Sequence, residues 1–289
     1  MYKFVFVVLH FIVFEDTIDC VESILKNVKY QQYKIIIVDN GSPNESGQLL
    51  KEIYKNYNKI HVILLKKNIG FAKGNNIGYN FAKNYLGADF IILINNDTII
   101  SQVEFLEKIL EKYNSTHFDI LGPDIISLVD GYHQNPVRLT GFTINELIIW
   151  LIKISFLLLL NYLRIEEFLR KIARAVVKEK EKINFYFEKD QKNVQLHGCC
   201  LVFSPKFIER FDGLYSKTLM YMEEDILFYQ VKKFGLISLY TPEVQIFHKE
   251  DVSTNAIFDN DYQKRRFQYK QTITSSRLLL QMMMKNDNN

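Results

Sequence analysis

The sequence predicts an α/β protein, with a mostly parallel central sheet flanked by helices, a helical insertion and a C-terminal helix. Two observations carry this. Continuous apolar runs at Phe4–Leu9, Ile35–Val38 and Phe90–Ile94 read as strands covered on both faces. Between them, apolar residues recur every three or four positions, the spacing of helices that pack by one face. Strand, helix, strand, helix, strand in that order implies right-handed crossovers and parallel pairing.

The first strand ends at His10-Phe11. Ile18, Val21, Ile24, Leu25 and Val28 then mark a helical face, with Asp16-Thr17 as its cap. The second strand ends in Asp39-Asn40-Gly41-Ser42. Leu49, Leu50, Ile53, Tyr54 and Tyr57 mark the second helix, and His61–Leu65 is a third strand. An acid placed like Asp39 binds a ribose hydroxyl in dinucleotide folds, but their glycine fingerprint is missing after the first strand. Asp-Asn-Gly-Ser is equally a turn sequence.

Gly70, Gly74 and Gly78 follow at intervals of four. A helix starting near Lys73 aims its free N–H groups and positive dipole end at the sheet edge, where an anion can sit. The same glycines also suit a packing stripe of small residues. The run Phe90–Ile94 stops at Asn95-Asn96-Asp97-Thr98. Ligands of such sheets bind beyond the carboxyl ends of the strands. One carboxylate among amide oxygens makes a hard-oxygen site suited to magnesium or manganese with a phosphate. These residues also suit an Asx turn that caps a helix.

With 48% apolar and 24% charged residues, the 289-residue chain is globular rather than disordered. The net charge of +3 is too small to argue for nucleic acid as a partner. Aromatic residues, 14% and mostly Tyr and Phe, suit a protein that handles sugars or a membrane surface. Cys20, Cys199 and Cys200 lack metal-ligand spacing, so reduced thiols in the cytoplasm are expected. Met1 to Val13 carries Lys3 and His10 and no small-residue cleavage site, so it reads as a strand rather than a signal peptide.

A second block opens with a predicted strand at Val194–Phe203, with Gly198 at a close approach. Phe211-Asp212-Gly213-Leu214-Tyr215 follows. Leu227, Val231 and Phe234 then share a helical face that Gly235 ends, placing Glu223, Glu224 and Asp225 at the helix start, where carboxylates are electrostatically favoured. Val244–His248 is a late strand, whose lone histidine reads equally as a core or surface residue. Tyr262–Lys285 is a C-terminal helix carrying Arg265, Arg266, Lys270 and Arg277, a solvated face or part of an acceptor or lipid contact.

Val38-Asp39-Asn40-Gly41-Ser42, Asn68-Ile69-Gly70-Phe71-Ala72-Lys73-Gly74-Asn75-Asn76 and Leu93-Ile94-Asn95-Asn96-Asp97-Thr98 together resemble the family 2 glycosyltransferases of the GT-A fold. The branch most resembled is the rhamnosyltransferase-like enzymes of bacterial surface polysaccharides. The resemblance runs from Tyr2 to about Leu121 and from Leu196 to about Ser253. It implies a nucleotide-sugar-binding half at 1–140, a helical insertion at 141–183, an acceptor-side half at 184–260, and a C-terminal helix and tail at 261–289.

By that resemblance, Asp39 contacts the nucleoside, and His10, Asn68, Gly70, Asn75, Asn76 and Asn96 complete the nucleotide-sugar site. Asn95 to Asp97 is the metal motif, with Asp97 and His248 on Mg2+ or Mn2+. Asn95 stands where the family's first acid stands, and Phe11 where the family often has Tyr. Asp225 matches the general base, and Glu224 the residue that places the acceptor. The implied donor is a nucleoside-diphosphate sugar, dTDP-rhamnose first and UDP-hexoses next. The acceptor is a glycan or lipid-linked oligosaccharide.

In the insertion, Leu147–Leu160 is apolar apart from Lys153 and Ser155. As a helix it is about 21 Å long, short of the roughly 30 Å hydrocarbon core. Arg164 to Lys182 carries seven basic and four acidic residues, with Ile165, Phe168, Leu169, Ile172 and Val176 at helical spacing. An apolar helix joined to a basic amphipathic one fits a peripheral contact with an anionic leaflet, hence a cytoplasmic protein at the inner face of the cell membrane. A hairpin packed on its own domain or in a dimer fits the same pattern. Oligomeric state is not encoded in any of these features.

Two rivals share the fold. A non-catalytic nucleotide-sugar binder or partner subunit would bind donor without transfer. A nucleotidyltransferase would carry a basic glycine-rich loop after the first strand, and His10-Phe11-Ile12-Val13 is not one.

Overall fold

A computed structural model describes residues 1–170, 187–250 and 260–286. Strands β1 (Phe4–His10), β2 (Tyr33–Asp39), β3 (Ile60–Leu64) and β4 (Phe90–Asn95) lie in the order β3-β2-β1-β4, all parallel. Helices α1 (Phe14–Asn27), α2 (Ser46–Tyr54) and α4 (Phe105–Thr116) bury Val21, Ile24, Leu50 and Phe105 on one face, against Phe6, Val8, Ile35 and Ile37. Helix α3 (Phe71–Asn84) covers the other face, setting Ala72 and Tyr79 on Val5, Val7, Ile36 and Val38. Both faces are covered, as the continuous apolar runs require.

The second block joins the same sheet. β8 (Cys200–Phe203) pairs antiparallel with both β4 and β6 (Ile120–Ser127), and β9 (Ser238–His248) runs parallel to β6. β5 (Thr98–Ile99) and β7 (Gln191–Lys192) pair antiparallel with β9. The sheet is therefore parallel through its first four strands and mixed beyond them. Helices α6 (Pro205–Arg210) and α7 (Glu223–Lys233) cover its α3 face through Phe207, Leu227 and Phe228. Phe4, Phe6, Phe90, Phe105 and Phe118 are core residues, so part of the high aromatic content serves packing.

Several elements differ from expectation. The cap of α1 is Val13, with Asp16 and Thr17 already inside the first turn and Thr17 Oγ1 donating back to the Val13 carbonyl. Only Leu50 and Tyr54 of the α2 set are buried, while Leu49, Ile53 and Tyr57 are exposed. The strand expected from Val194 begins only at Cys200, because Gln195 forms a single bridge to Arg138 on the way.

α3 starts at Phe71, two residues early, because Gly70 caps it with φ of +94°. A Cβ on Gly70 would lie 2.6 Å from the Leu219 carbonyl oxygen, which accepts the Phe71 N–H at 2.9 Å. Gly70→Ala is therefore expected to cost about 1–3 kcal/mol, measured as a lower urea midpoint with an unchanged slope.

In the insertion, α5 (Ile144–Tyr162) is opened by a capping box between Thr143 and Glu146 and, at 19 residues, is about 28 Å long. It packs antiparallel on the C-terminal helix α8 (Asp261–Asn286): Leu147 meets Leu279, Ile154 meets Tyr269 and Ile273, and Arg266 Nε donates to Asn161 Oδ1 at 3.0 Å. A helical turn at 166–170 follows, whose buried Glu166 accepts from Tyr269 Oη, Arg170 Nε and Asn161 Nδ2. The rest of the expected basic helix, Lys171 to Lys182, lies outside the described residues, as does Ser253.

Candidate active site

The carboxyl ends of β1, β2 and β4 open into a cleft of about 730 Å3. The residues that line it are drawn from the ends of β1, β2, β4 and β9, from the loops at 68–71, 134, 197 and 219–220, and from α8 through Phe267. Of the expected site residues, the structure brings Asn68, Gly70, Asn95, Asn96, Asp97 and His248 into this lining. His10, Asp39, Asn75, Asn76, Glu224 and Asp225 are not in it.

Asp97 and His248 meet because β5 pairs with β9, setting Thr98 opposite His248, and because Lys249 N donates to the Asp97 carbonyl at 2.8 Å. His248 Nε2 lies 3.3 Å from Asp97 Oδ1, yet that buried oxygen receives no hydrogen bond. Asn96 Nδ2 donates to Thr17 Oγ1 at 3.0 Å and ties the motif to α1, while Thr98 Oγ1 donates to the Asn95 carbonyl and closes the turn. The turn, closed by Thr98 rather than by an Asn or Asp side chain, and the candidate site are thus one structure.

Four expected nucleotide-sugar contacts have other work. His10 is fully buried between Thr17 Oγ1 (2.7 Å) and Ser46 Oγ (2.8 Å), and burial holds its pKa down to about 4. Asp39 Oδ1 accepts from Ser42 N (3.0 Å) and Ser42 Oγ (2.6 Å), and its Oδ2 packs on Gly47, where a Cβ would come within 2.2 Å. Its carboxylate holds the Asp-Asn-Gly-Ser turn. Asn75 Nδ2 donates to the Phe71 carbonyl within α3. Asn76 clamps Leu214, accepting from its N–H and donating to its carbonyl. Beside Asp39 it is Asn40 that faces the cleft. Its amide accepts from Ile69 N and donates to Asn68 Oδ1 and the Gly70 carbonyl, fixing the 68–70 loop.

The acidic triplet occupies the first turn of α7, as its spacing predicts. Glu224 Oε1 accepts the Gly198 N–H at 2.9 Å, beside the cleft residue His197. Burial pushes the Cys199 thiol pKa up, and the charges of Asp97 and Glu224 add to it. Asp225 accepts from Gln195 Nε2 at 3.0 Å, with Arg138 nearby. Burial, then the neighbouring Glu224, raises Asp225 to about 6, and burial raises Glu224 and Glu223 too, Glu223 to about 7. Asp225, the implied base, lies outside the cleft lining, as Glu224 does. Of the two acids, Glu224 is the one against the cleft wall.

His197, Gln134 and Glu250 line the cleft and were not singled out from the sequence. His197 Nδ1 accepts the Cys199 N–H at 3.2 Å, and its own N–H donates to Asn135 Oδ1 at 2.8 Å. Burial and then the nearby His248 hold His197 down to about 4, so the ring is neutral and its Nε2–H is a donor.

Among the described residues the lining contains two acids, Asp97 and Glu250, and no lysine or arginine. The orphaned Asp97 Oδ1 beside His248 Nε2 is a donor pair that fits a divalent cation. Among the described residues no three His, Cys, Asp or Glu side chains come into joint ligating range. The protein's share of such a site is thus two ligands, the arrangement that suits Mg2+ or Mn2+ completed by phosphate oxygens and water.

A sheet of this order, with a carboxylate turn at the end of β4 and an acidic helix start behind it, defines a GT-A glycosyltransferase fold. The chain belongs to glycosyl transferase family 2, whose model matches residues 7–204. Glycosyltransferase GlyG of Streptococcus pneumoniae serotype 4 is 28% identical over 104 residues, 36% of this chain and 33% of GlyG. The dTDP-rhamnosyl transferase RfbF of Shigella flexneri is 30% identical over 115 residues, 40% of this chain and 36% of RfbF. The chain thus matches about a third of either relative's length. Among solved structures, S. aureus TarS 1-349 aligns with a TM-score of 0.52 at 14% identity, over 86% of this chain and 60% of TarS 1-349, a likeness of fold.

Proposed function

We propose that the protein is an inverting glycosyltransferase that moves a sugar from a nucleoside-diphosphate sugar to a hydroxyl of a glycan or lipid-linked acceptor. The observation that carries this reading is Asp97 Oδ1, buried without a hydrogen-bond partner beside His248 in a cleft whose described lining holds no lysine or arginine. Asp97 and His248 would hold Mg2+ or Mn2+, with Asn95 alongside. When bound, the cation offsets the charge of the departing diphosphate. The His197 Nε2–H adds a neutral donor on the same wall. Phe11 and Asn40, where β1 and β2 end, receive the nucleoside. Glu224 takes the acceptor proton as the hydroxyl attacks the anomeric carbon opposite the diphosphate, which inverts that centre. The likeness to the dTDP-rhamnosyl transferase RfbF favours dTDP-rhamnose, with UDP-hexoses next.

The test is a panel of dTDP- and UDP-sugars with Mn2+, read by thermal shift and by release of nucleoside diphosphate. One donor class is expected to stabilise the protein and to release its nucleotide when acceptor is present. Stabilisation without release under any acceptor would favour the non-catalytic binder. No stabilisation by any donor would overturn donor binding itself.

We also propose that α5 lies on an anionic membrane surface. One face packs on α8, and the other exposes Ile149 (66%), Ile152 (65%), Phe156 (57%), Leu159 and Leu163 along one stripe. α5 is long and apolar enough to cross a membrane by length and composition, but its Leu147 and Ile154 side is already packed on α8. At the end of the stripe, Arg266 and Lys270 lie 4.2 Å and 5.5 Å from the Tyr162 ring, cations beside an amphipathic ring as at a headgroup layer. The protein is expected to co-sediment with phosphatidylglycerol vesicles and not with phosphatidylcholine. Ile149→Asp with Ile152→Asp should abolish that at unchanged thermal stability. A concentration-dependent dimer without vesicle binding would assign the stripe to a second copy.

A further inference from the structure

Behind His248 a chain of side chains runs out of the cleft wall, and its chemistry has one direction. Gln134 Nε2 donates to Glu250 Oε1 at 2.7 Å, and His248 Nδ1 lies 2.8 Å from Gln134 Oε1. A carboxylate only accepts hydrogen bonds, so Glu250 fixes which end of the Gln134 amide faces it. The amide oxygen is left toward His248, where it can only accept. The proton of the neutral ring therefore sits on Nδ1, and the lone pair of Nε2 points at Asp97.

Two electron-rich atoms, His248 Nε2 and Asp97 Oδ1, then face each other at 3.3 Å, and Oδ1 receives no hydrogen bond. A ring with its proton on Nε2 would close that gap with a hydrogen bond to Asp97 and could not ligate. Glu250 is held in the left-handed region, φ 68°, immediately after β9. A non-glycine residue keeps such a conformation only where the surrounding structure holds it.

We propose that Glu250 and Gln134 are positioning residues that lock His248 in the tautomer a divalent cation requires. The inference rests on the metal reading of Asp97 and His248 and deepens it. The same short stretch serves both histidines, since the neighbouring Asn135 holds the His197 backbone. Metal-ligating histidines donate their second ring N–H to a partner that fixes ring and tautomer, and losing such a partner costs about 10–100-fold in metal affinity.

The test uses the metal-free protein labelled at its histidine nitrogens, together with Mn2+ alone titrated by electron paramagnetic resonance. At a pH above the ordinary histidine range, the long-range nitrogen spectrum should show His248 with a protonated Nδ1 and a lone-pair Nε2. Glu250→Gln, which keeps size and shape, frees the amide to turn over. It should mix the two tautomers and weaken Mn2+ binding about 10-fold or more. Gln134→Leu should do the same, and Glu250→Gln carries the test alone if Gln134→Leu does not fold. The exchanged pair, Gln134→Glu with Glu250→Gln, sets a carboxylate against Nδ1–H and should restore tautomer and affinity together, a rescue that a packing role does not provide.

A protonated Nε2 in the unaltered protein, or single variants that leave tautomer and affinity unchanged, would overturn the proposal. His248→Ala separates the two levels. If it does not weaken Mn2+ binding, the metal reading fails. If it weakens binding while the Glu250 and Gln134 variants do not, only the positioning role fails.

Discussion

Asp97→Asn is expected to leave the fold intact and to remove Mn2+-dependent donor binding together with transfer. The substitution is isosteric, and the backbone bond from Lys249 N to the residue 97 carbonyl is untouched. The change is confined to the one orphaned oxygen. As a carboxylate, Asp97 Oδ1 faces His248 Nε2 at 3.3 Å with no hydrogen bond. As an amide, the side chain can turn its N–H to that nitrogen and satisfy it. The variant thus removes the anionic ligand and occupies the neutral one. Metal-ion stabilisation of developing charge contributes several kcal/mol, and each 1.36 kcal/mol is tenfold in rate, so kcat/KM should fall by about 10^3-fold or more. Mn2+ titration and diphosphate release measure the two halves of this effect, and a melting temperature within a degree or two of the unaltered protein's excludes misfolding. A variant that still bound Mn2+ and transferred sugar would take the charge of the cleft out of the explanation.

The elements with the strongest pattern were readable from the sequence. The runs at β1, β2 and β4 are buried on both faces, and no amphipathic reading of Val5 to Val8 or Ile35 to Val38 fits their composition. The end of β4 was readable as well, since an apolar strand that stops at four oxygen-bearing residues leaves few alternatives. Harder to read was which polar side chain faces outward. Asp39 and Asn40 are neighbours in one turn, and only the contact with Gly47 and Ser42 shows that the carboxylate closes the turn while the amide faces the cleft. His10 looked available at the end of a strand, yet Ser46 from α2 covers it.

Gln134, His197 and Glu250 carried no periodic signal. They stand on irregular backbone that the sheet pairings of β6, β8 and β9 bring together from positions more than fifty residues apart. The one local hint was Gly198, where a side chain would crowd Glu224 at 3.0 Å. Its neighbour His197 could have been weighed with it. The insertion was legible as a helix, but its partner was not, because α5 and α8 are separated by most of the second block and meet only in the folded chain.

That placement of Gly198 leads to a prediction for the two acids of α7. Glu224→Gln is expected to lower kcat by about 10^2–10^4-fold while donor affinity stays within a few-fold. The amide oxygen can still accept the Gly198 N–H, so the wall of the cleft is kept and only proton acceptance is lost. Asp225→Asn should change kcat by less than about 10-fold, since its carboxyl faces Gln195 rather than the cleft wall. The pH profile supplies the sign. Burial raises Glu224 above the ordinary carboxylate range, so the base is protonated, and transfer is lost, as pH falls through that raised value. The acid limb of kcat should therefore lie above the usual glutamate range, and in Glu224→Gln it should vanish from the residual rate. Asp225 itself titrates near 6, so an acid limb there that persists in Glu224→Gln and disappears in Asp225→Asn would return the base role to Asp225. The comparison is made at saturating donor and Mn2+, where the only proton that must move is the acceptor's.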